Sequence, residues 1–211
     1  MTGGVVFAEE AGAVTDSAGD PRQPMFRAAD LAGRVLDAVP ADAGARPTPC
    51  TDWTVADLAG HLVAVTARVA HVARGGHPSE RPTLLEAEPA GGFAAAYRAG
   101  LAGVREAWAD DDLLTRTVHH PAGEMPGAAG ATIYAQEFAT HAVDLAVAVG
   151  RTDLLDEEFL AGIVDVARRV VPADRAGFPF APPVPVPDDA PAHARLAGWL
   201  GRDLAAGAVQ G

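Results

Sequence analysis

Apolar residues recur at helical spacing through most of this 211-residue chain. The clearest case is residues 54–75, where an apolar stripe returns every three or four positions, as in a helix with one face in a core. Thr54 and Asp57 have the spacing of a capping box at the start of this segment. Trp53 and Leu58 have the spacing of a hydrophobic staple. The segment is therefore predicted to be a long helix with a defined start.

The same period predicts five further helices. Residues 110–130 carry acids, Gly and Pro, and we expect a turn with a short extended segment there. Residues 1–24, rich in Gly, Ala and acids, are predicted to be a disordered leader. The predicted fold class is thus all-α, a helical bundle in one domain over residues 25–211. The five helices are predicted at residues 26–39, 93–109, 131–149, 157–171 and 190–206.

A Pro-rich stretch, residues 178–187, separates the last two predicted helices. Its prolines lack backbone donors, so it cannot be helical. The stretch is apolar and includes Phe178 and Phe180. We expect it to cover the open end of the bundle and to add an apolar wall to a site. The alternative is a linker that carries the last helix back to the core.

Charge and composition exclude several classes of function. The formal net charge is −12, all 16 basic residues are Arg, and no cluster of them offers a basic patch, so nucleic acid is not an expected partner. No uninterrupted apolar run approaches the roughly 20 residues that span a bilayer, and no membrane partner is expected. Residues 1–24 lack the positively charged start of a signal peptide. With a single cysteine there is no internal disulfide, and we expect a cytoplasmic protein.

Glu137 and His141 stand one turn apart on the apolar face of the predicted helix 131–149. At 3.6 residues per turn they are separated by roughly 40° around the helix axis. An unpaired carboxylate carried into the core costs several kcal/mol, so the pair needs a compensating partner. A metal ion is the simplest partner. The alternative is an ion pair in which the two side chains satisfy each other.

His61 is the candidate for a third ligand, because it lies at the edge of the apolar stripe of residues 54–75. If this helix packs against helix 131–149, His61, Glu137 and His141 converge. Such a set leaves coordination positions open, as a catalytic zinc requires, and it also suits Fe²⁺, Ni²⁺ or Mn²⁺. The alternative is a core histidine that hydrogen-bonds a neighbour.

Two sequence runs carry a family resemblance. Trp-Thr-x-x-Asp-Leu-x-x-His ends at His61, and Glu-x-x-x-His-x-x-Asp begins at Glu137. With residues 180–189 and 195–203, they resemble the mycothiol-dependent maleylpyruvate isomerase N-terminal family of the DinB-like metal-binding superfamily, in its single-domain actinobacterial branch. The resemblance covers nearly the whole chain from Met25. It implies a four-helix bundle, here with additional short helices and a Pro-rich loop. In that bundle His61, Glu137 and His141 bind a divalent metal.

The resemblance also implies a function. The metal would activate a thiol, with mycothiol as the thiol, or water, toward a small electrophilic metabolite, as a thiol transferase or isomerase does. The isomerases carry a further C-terminal domain, so we expect a shared metal site rather than the same reaction. The alternatives are a Lewis-acid hydrolase, lyase or cyclase without a thiol cofactor, and a non-catalytic metal- or ligand-binding bundle. A small molecule is the expected partner, and a homodimer is compatible with the sequence.

Five other residues carry chemistry that the sequence leaves open. Cys50 is expected to be a small buried thiol rather than a reactive one. His119 and His120, in the loop before helix 131–149, are either solvated or supply a fourth ligand or a general acid. Asp144 either orients an imidazole or forms a salt bridge to a neighbouring helix. Arg68 is expected to be solvated.

Overall fold

The computed structural model describes residues 19–50, 53–176 and 179–204. These residues form six α-helices and a two-stranded antiparallel hairpin, and the predicted all-α class is confirmed. The helices are α1 (Arg22–Asp37), α2 (Val55–Ala73), α3 (Phe93–Ala107), α4 (Gly127–Ala148), α5 (Glu157–Val170) and α6 (Ala192–Trp199). The strands of the hairpin are β1 (Thr117–His120) and β2 (Gly123–Pro126).

The four helices α1 to α4 form the bundle, and α4 lies at its centre. α4 packs against α1 and α2, and on its other side against α5 and α6. Its side chains are therefore buried around most of its circumference. Two aromatic side chains tie the other helices together by single hydrogen bonds. The Tyr97 hydroxyl donates to the carbonyl of Ala29 (2.9 Å), and the Trp108 indole donates to that of Val69 (3.1 Å).

α2 begins as its sequence predicts. The Thr54 hydroxyl accepts the backbone N–H of Asp57 (3.2 Å), and the Asp57 carboxylate accepts that of Thr54 (3.0 Å), which confirms the capping box. By length and composition α2 is apolar enough to cross a membrane, with a mean hydropathy of 1.2. However, 67% of that window is buried within the fold, as expected for a core helix.

α1 starts four residues before its predicted start at Phe26. Pro24 occupies the first turn, where the missing N–H of proline costs no intrahelical hydrogen bond. Arg22, at the first position, forms ion pairs with Asp20 (2.7 Å) and Asp111 (2.5 Å). The end of the predicted leader is thus helical, while its residues 1–18 lie outside the described residues.

The segment predicted to contain a turn and a short extended stretch is the β1–β2 hairpin, which leads directly into α4. α4 consequently starts at Gly127, four residues before its predicted start. α6 ends at Trp199, earlier than predicted, because Gly201 adopts a left-handed backbone with φ +81°. The backbone N–H of Arg202 then returns to the carbonyl of Ala197 (2.9 Å), which turns the chain back toward the bundle.

The described part of the Pro-rich stretch, residues 179–187, packs against α6. The backbone N–H of Val184 donates to the carbonyl of Gly198 (2.9 Å). A Cβ at position 198 would lie 2.8 Å from the carbonyl oxygen of Val184, so this close approach depends on glycine. Phe180 packs against the core, whereas Phe178 lies outside the described residues.

Candidate metal centre

Two helices of the bundle carry the three predicted ligands. α2 brings His61, and α4 brings Glu137 and His141 on one face. One oxygen of Glu137, Oε1, lies 3.0 Å from Nε2 of His61 and 3.6 Å from Nε2 of His141. All three ligand atoms lie within 4.8 Å of one another. Both imidazoles are buried, while the Glu137 side chain is 35% exposed, so the cluster opens to solvent on the carboxylate side.

Each imidazole is held by its other nitrogen. His61 Nδ1 donates to the backbone carbonyl of Thr83 (2.7 Å), and His141 Nδ1 donates to Asp144 (3.1 Å). A neutral imidazole that donates from Nδ1 keeps a lone pair on Nε2. When both rings are neutral, each therefore offers its Nε2 lone pair to a metal ion on the side that faces the same Glu137 oxygen.

The donor set fits a divalent ion. Nitrogen and oxygen ligands at 2.0–2.2 Å from a tetrahedral zinc lie roughly 3.4 Å apart, close to the two distances between Glu137 Oε1 and the imidazoles in this cluster. Two imidazoles and one carboxylate suit zinc and also Fe²⁺, Ni²⁺ or Mn²⁺. Three protein ligands leave at least one coordination position free for a small molecule.

The same contacts form an ion pair when a proton takes the place of the metal. Burial lowers the pKa of His141, but the charge of Glu137 and the hydrogen bonds that His141 donates to Asp144 and Glu137 raise it to about 9. Burial raises the pKa of Glu137, but His141 and His61 together hold it well below its usual value. A metal ion at this cluster would have to displace that proton, so the ion pair and the metal site involve the same atoms.

A buried ion pair lies behind His141. Asp144 is fully buried and accepts two hydrogen bonds from Arg202, at 2.7 Å from Nε and 3.0 Å from a terminal nitrogen. Burial raises the pKa of Asp144, but the charge of Arg202 and the contact with His141 lower it overall. Asp144 therefore both orients the His141 imidazole and forms a salt bridge, the two roles that the sequence had left as alternatives.

Trp53 packs directly on the cluster. Its ring centroid lies 4.5 Å from that of His61 and 5.9 Å from that of His141. The sequence explained Trp53 only as part of a staple that starts α2. Its indole also covers both imidazoles, which shields them from solvent.

A cavity of about 100 Å³ adjoins the cluster at Glu137. Arg68 and His120 line this cavity and are only 9% and 8% exposed. The prediction that Arg68 is solvated is therefore wrong, and of the alternatives left open for His120 the solvated one is wrong. Arg68 lies two turns beyond His61 on the same face of α2, so helical spacing is the signal that could have found it. The cavity is lined by Val65, Arg68, His120, Pro121, Ile133, Tyr134 and Glu137.

Comparison with known families identifies the fold. The family model described as the mycothiol maleylpyruvate isomerase N-terminal domain matches residues 26–146. The chain belongs to this family. Two relatives, both described as uncharacterized proteins of Mycobacterium tuberculosis, are each 36% identical over 187 residues, which is 88% of this chain and 99% of the relative. No solved structure matches the chain.

Membership of the mycothiol maleylpyruvate isomerase N-terminal domain family confirms the resemblance read from the sequence. The family is DinB-like and typically metal-binding, and this member has a cluster of side chains that could hold an ion. The matched range includes His61, Glu137, His141 and Asp144, but ends before Arg202. The ion pair behind His141 therefore uses a residue outside the family's matched segment.

The other residues that the sequence singled out lie outside the His61, Glu137 and His141 cluster. His119 lies in β1 rather than in a loop, is partly exposed, and stands 3.2 Å from Glu124, its partner across the hairpin. Cys50 is half-buried near His141 and Asp144, and burial is the main cause that raises the pKa of its thiol to about 11. Such a thiol stays protonated at neutral pH, which agrees with the expectation that it is unreactive. The described part of the Pro-rich stretch contributes no residue to the cavity lining.

Proposed function

We propose that this protein is a metal-dependent enzyme in which His61, Glu137 and His141 hold one divalent ion. Zinc is the first choice, and the same ligands suit Fe²⁺, Ni²⁺ or Mn²⁺. The ion serves to activate a thiol or water toward a small electrophilic metabolite. The observation that carries this proposal is the convergence of two imidazole Nε2 atoms on one carboxylate oxygen. That oxygen belongs to a residue that also lines a cavity.

When bound, a divalent ion supplies Lewis-acid chemistry, and it lowers the pKa of a thiol or water that it binds. The chain's own residues do the rest. Asp144 and the Thr83 carbonyl fix the ring orientation of the two histidines. Trp53 covers the imidazoles, so that access is left from the side of Glu137. The substrate is therefore expected to approach through the cavity.

Thiol chemistry is favoured over hydrolysis by the family, whose description names mycothiol. We infer a thiol transferase or isomerase that takes mycothiol as its cosubstrate. Cys50 does not supply the thiol in this proposal, because burial keeps it protonated. A small-molecule substrate, a cytoplasmic location and a homodimer stay predictions.

The experiment is an assay of mycothiol-dependent consumption of a panel of small electrophiles by the metal-loaded protein. We expect turnover that requires mycothiol and is abolished in His61→Ala. The matched control is His71→Ala, on the same helix but bonded to Glu80 away from the cluster (2.6 Å), which should keep full activity. Loss of activity in both variants to the same extent would contradict the proposal.

Two other outcomes select the alternatives. Turnover that needs the metal but no thiol would replace the proposal by a Lewis-acid hydrolase, lyase or cyclase. Metal binding without turnover across the panel would replace it by a non-catalytic metal- or ligand-binding bundle. Both outcomes leave the metal site itself intact, so they separate the reaction from the ligand assignment.

A further inference from the structure

The cavity beside Glu137 is lined by three further charged or polar side chains that the proposed metal chemistry does not use. Arg68 comes from α2, Tyr134 and Glu137 from α4, and His120 from the end of β1. Glu137 connects the cavity to the metal centre, because it belongs to both. A molecule in the cavity would therefore lie next to the ion.

Arg68 is a buried cation without a carboxylate partner among the described residues. Its only hydrogen bond there is from one terminal nitrogen to the backbone carbonyl of Pro82 (2.7 Å). A guanidinium carries five N–H donors, so most of its donors remain available. A buried charge left unpaired is costly, and a planar guanidinium is suited to a planar carboxylate.

Tyr134 also lines this cavity, and it carries a second donor without a partner within the described ranges. Its side chain is 3% exposed, and its hydroxyl has no hydrogen-bond partner in the described part of the chain. Buried hydroxyls are nearly always paired in native proteins, so an unpaired one at a cavity wall indicates a missing acceptor. The ring itself is fixed by packing against His120 and Trp108, with centroids at 4.5 Å and 6.2 Å.

His120 supplies a third donor. Its Nδ1 accepts the backbone N–H of Ala122 (3.0 Å), so the neutral ring carries its hydrogen on Nε2. Burial is the main cause that lowers the pKa of His120 to about 4, and the ring is neutral at physiological pH. The cavity thus combines one fixed cation with two neutral donors.

We infer that this cavity binds the carboxylate of a small carboxylate-bearing substrate through Arg68, Tyr134 and His120. The volume of about 100 Å³ suits a carboxylate with a few further atoms, since a water molecule in the liquid occupies about 30 Å³. Glu137 in the same cavity favours a monoanion over a dianion such as phosphate, because its own charge repels the ligand. The binding of a carboxylate does not depend on the proposed function; only the claim that the bound molecule is the enzyme's substrate rests on it.

The test is a calorimetric or NMR titration of the full chain with pyruvate, in both its zinc-loaded and its metal-free form. We expect saturable binding to both forms, and pyruvamide, the uncharged analogue, should bind at least about tenfold more weakly. Arg68→Met should weaken pyruvate binding at least about tenfold. The matched control, Arg74→Met, removes an exposed Arg at the end of the same helix and should leave binding unchanged.

Tyr134→Phe deletes a single oxygen and keeps the ring packing, so it tests the site even if Arg68→Met fails to fold. We expect pyruvate binding to weaken about threefold to tenfold, as for the loss of one hydrogen bond to a charged group. Absence of saturable binding to the wild type would overturn the inference, as would equal affinity for pyruvamide. Tighter Arg68-dependent binding of inorganic phosphate would also overturn it.

The metal-free titration separates this inference from the proposed function. If pyruvate bound only to the zinc-loaded form and Arg68→Met had no effect, the carboxylate would be a metal ligand and the inference would be wrong. If the protein held no metal or showed no turnover, Arg68-dependent binding to the metal-free chain would still support it.

Discussion

The two imidazoles of the cluster face the same carboxylate oxygen, yet they are held in different ways. On the α2 side, His61 donates to a backbone carbonyl in an exposed loop, at Thr83. On the α4 side, His141 donates to Asp144, which is itself held by Arg202 from beyond α6. A neutral contact thus orients one ring, and a buried ion pair orients the other.

The difference shows where the cluster is sensitive. A backbone carbonyl persists whatever side chain position 83 carries, so the orientation of His61 tolerates sequence change. The pair of Asp144 and Arg202 has been removed from water, and loss of either member leaves the other charged and buried. We therefore expect the α4 side to control both the metal affinity and the stability of the domain.

Asp144→Asn should have the largest effect. It leaves Arg202 without its carboxylate, which typically costs about 3–5 kcal/mol of unfolding free energy. Mutation of the charged acceptor behind a metal-bound histidine typically weakens metal binding roughly 10–100-fold. Urea denaturation and zinc competition against a chromophoric chelator measure the two effects. Asp153→Asn, which breaks an exposed pair with Arg151, is the control and should change neither. If Asp144→Asn changed stability and zinc affinity no more than Asp153→Asn does, the α4 side of the cluster would not be the sensitive one.

The pH dependence of metal binding should show the same asymmetry. The pKa of His141 in the metal-free state is about 9, so below that pH a proton must leave before the metal binds. Zinc affinity should therefore rise about tenfold per pH unit on approaching pH 9 and then level off. In Asp144→Asn it should level off at a lower pH, because Asp144 helps to raise that pKa. Affinity that is flat from pH 6 to 9 would contradict the protonated His141.

The same shift sets the sign of the stability change in the metal-free protein. The folded-state pKa of His141 lies above its unfolded value of about 6.5. The stabilisation is then fully present below about pH 6.5 and is lost as the pH rises toward 9. Metal-free protein should accordingly become less resistant to urea over that range, whereas zinc-loaded protein should not.

Thr83→Gly tests the α2 side of the cluster, where we expect sequence change to be tolerated. The carbonyl that accepts from His61 remains, and the added backbone freedom costs only about 0.4–1 kcal/mol. Zinc affinity should fall by no more than about fivefold, which is that energy expressed as a ratio. A loss as large as that of Asp144→Asn, measured in the same competition assay, would show that the two sides are equally sensitive.

The smallest effect is expected from Thr54→Ala, which removes the cap of α2 without touching the cluster. The free energy of unfolding should fall by about 1 kcal/mol. Zinc affinity should stay unchanged, because the folded position of His61 does not depend on the cap. Urea denaturation and zinc competition on the same samples check both expectations. A parallel loss of affinity would mean that the start of α2 positions the ligand.

Local periodicity was enough to bring out the three candidate ligands, whose role in metal binding stays a prediction. His61, Glu137 and His141 each stand on the apolar face of a helix, and packing α2 against α4 brings such faces together. The all-α fold and the capping box followed from the same patterns. These features depend on residues within one or two turns of each other, which sequence spacing records directly.

The features that sequence reasoning missed depend on contacts between distant segments. Arg202 is 58 positions from Asp144, and it reaches that residue after Gly201 has turned the chain beyond the end of α6 at Trp199. His120 is buried by the fold of the hairpin over α4, which a loop prediction does not reveal. The burial of Arg68 could have been predicted from its position two turns after His61 on the same face of α2. It was expected to be solvated because no residue nearby in the sequence offered it a carboxylate.

Elemental analysis of protein purified without added metal tests the central claim most directly. We predict about one divalent ion per chain in the wild type, as in single three-ligand sites. The ion should be largely lost in His61→Ala, Glu137→Ala and His141→Ala, whereas His71→Ala should retain it. Full occupancy in Glu137→Ala or His141→Ala, or no ion in the wild type, would contradict the account.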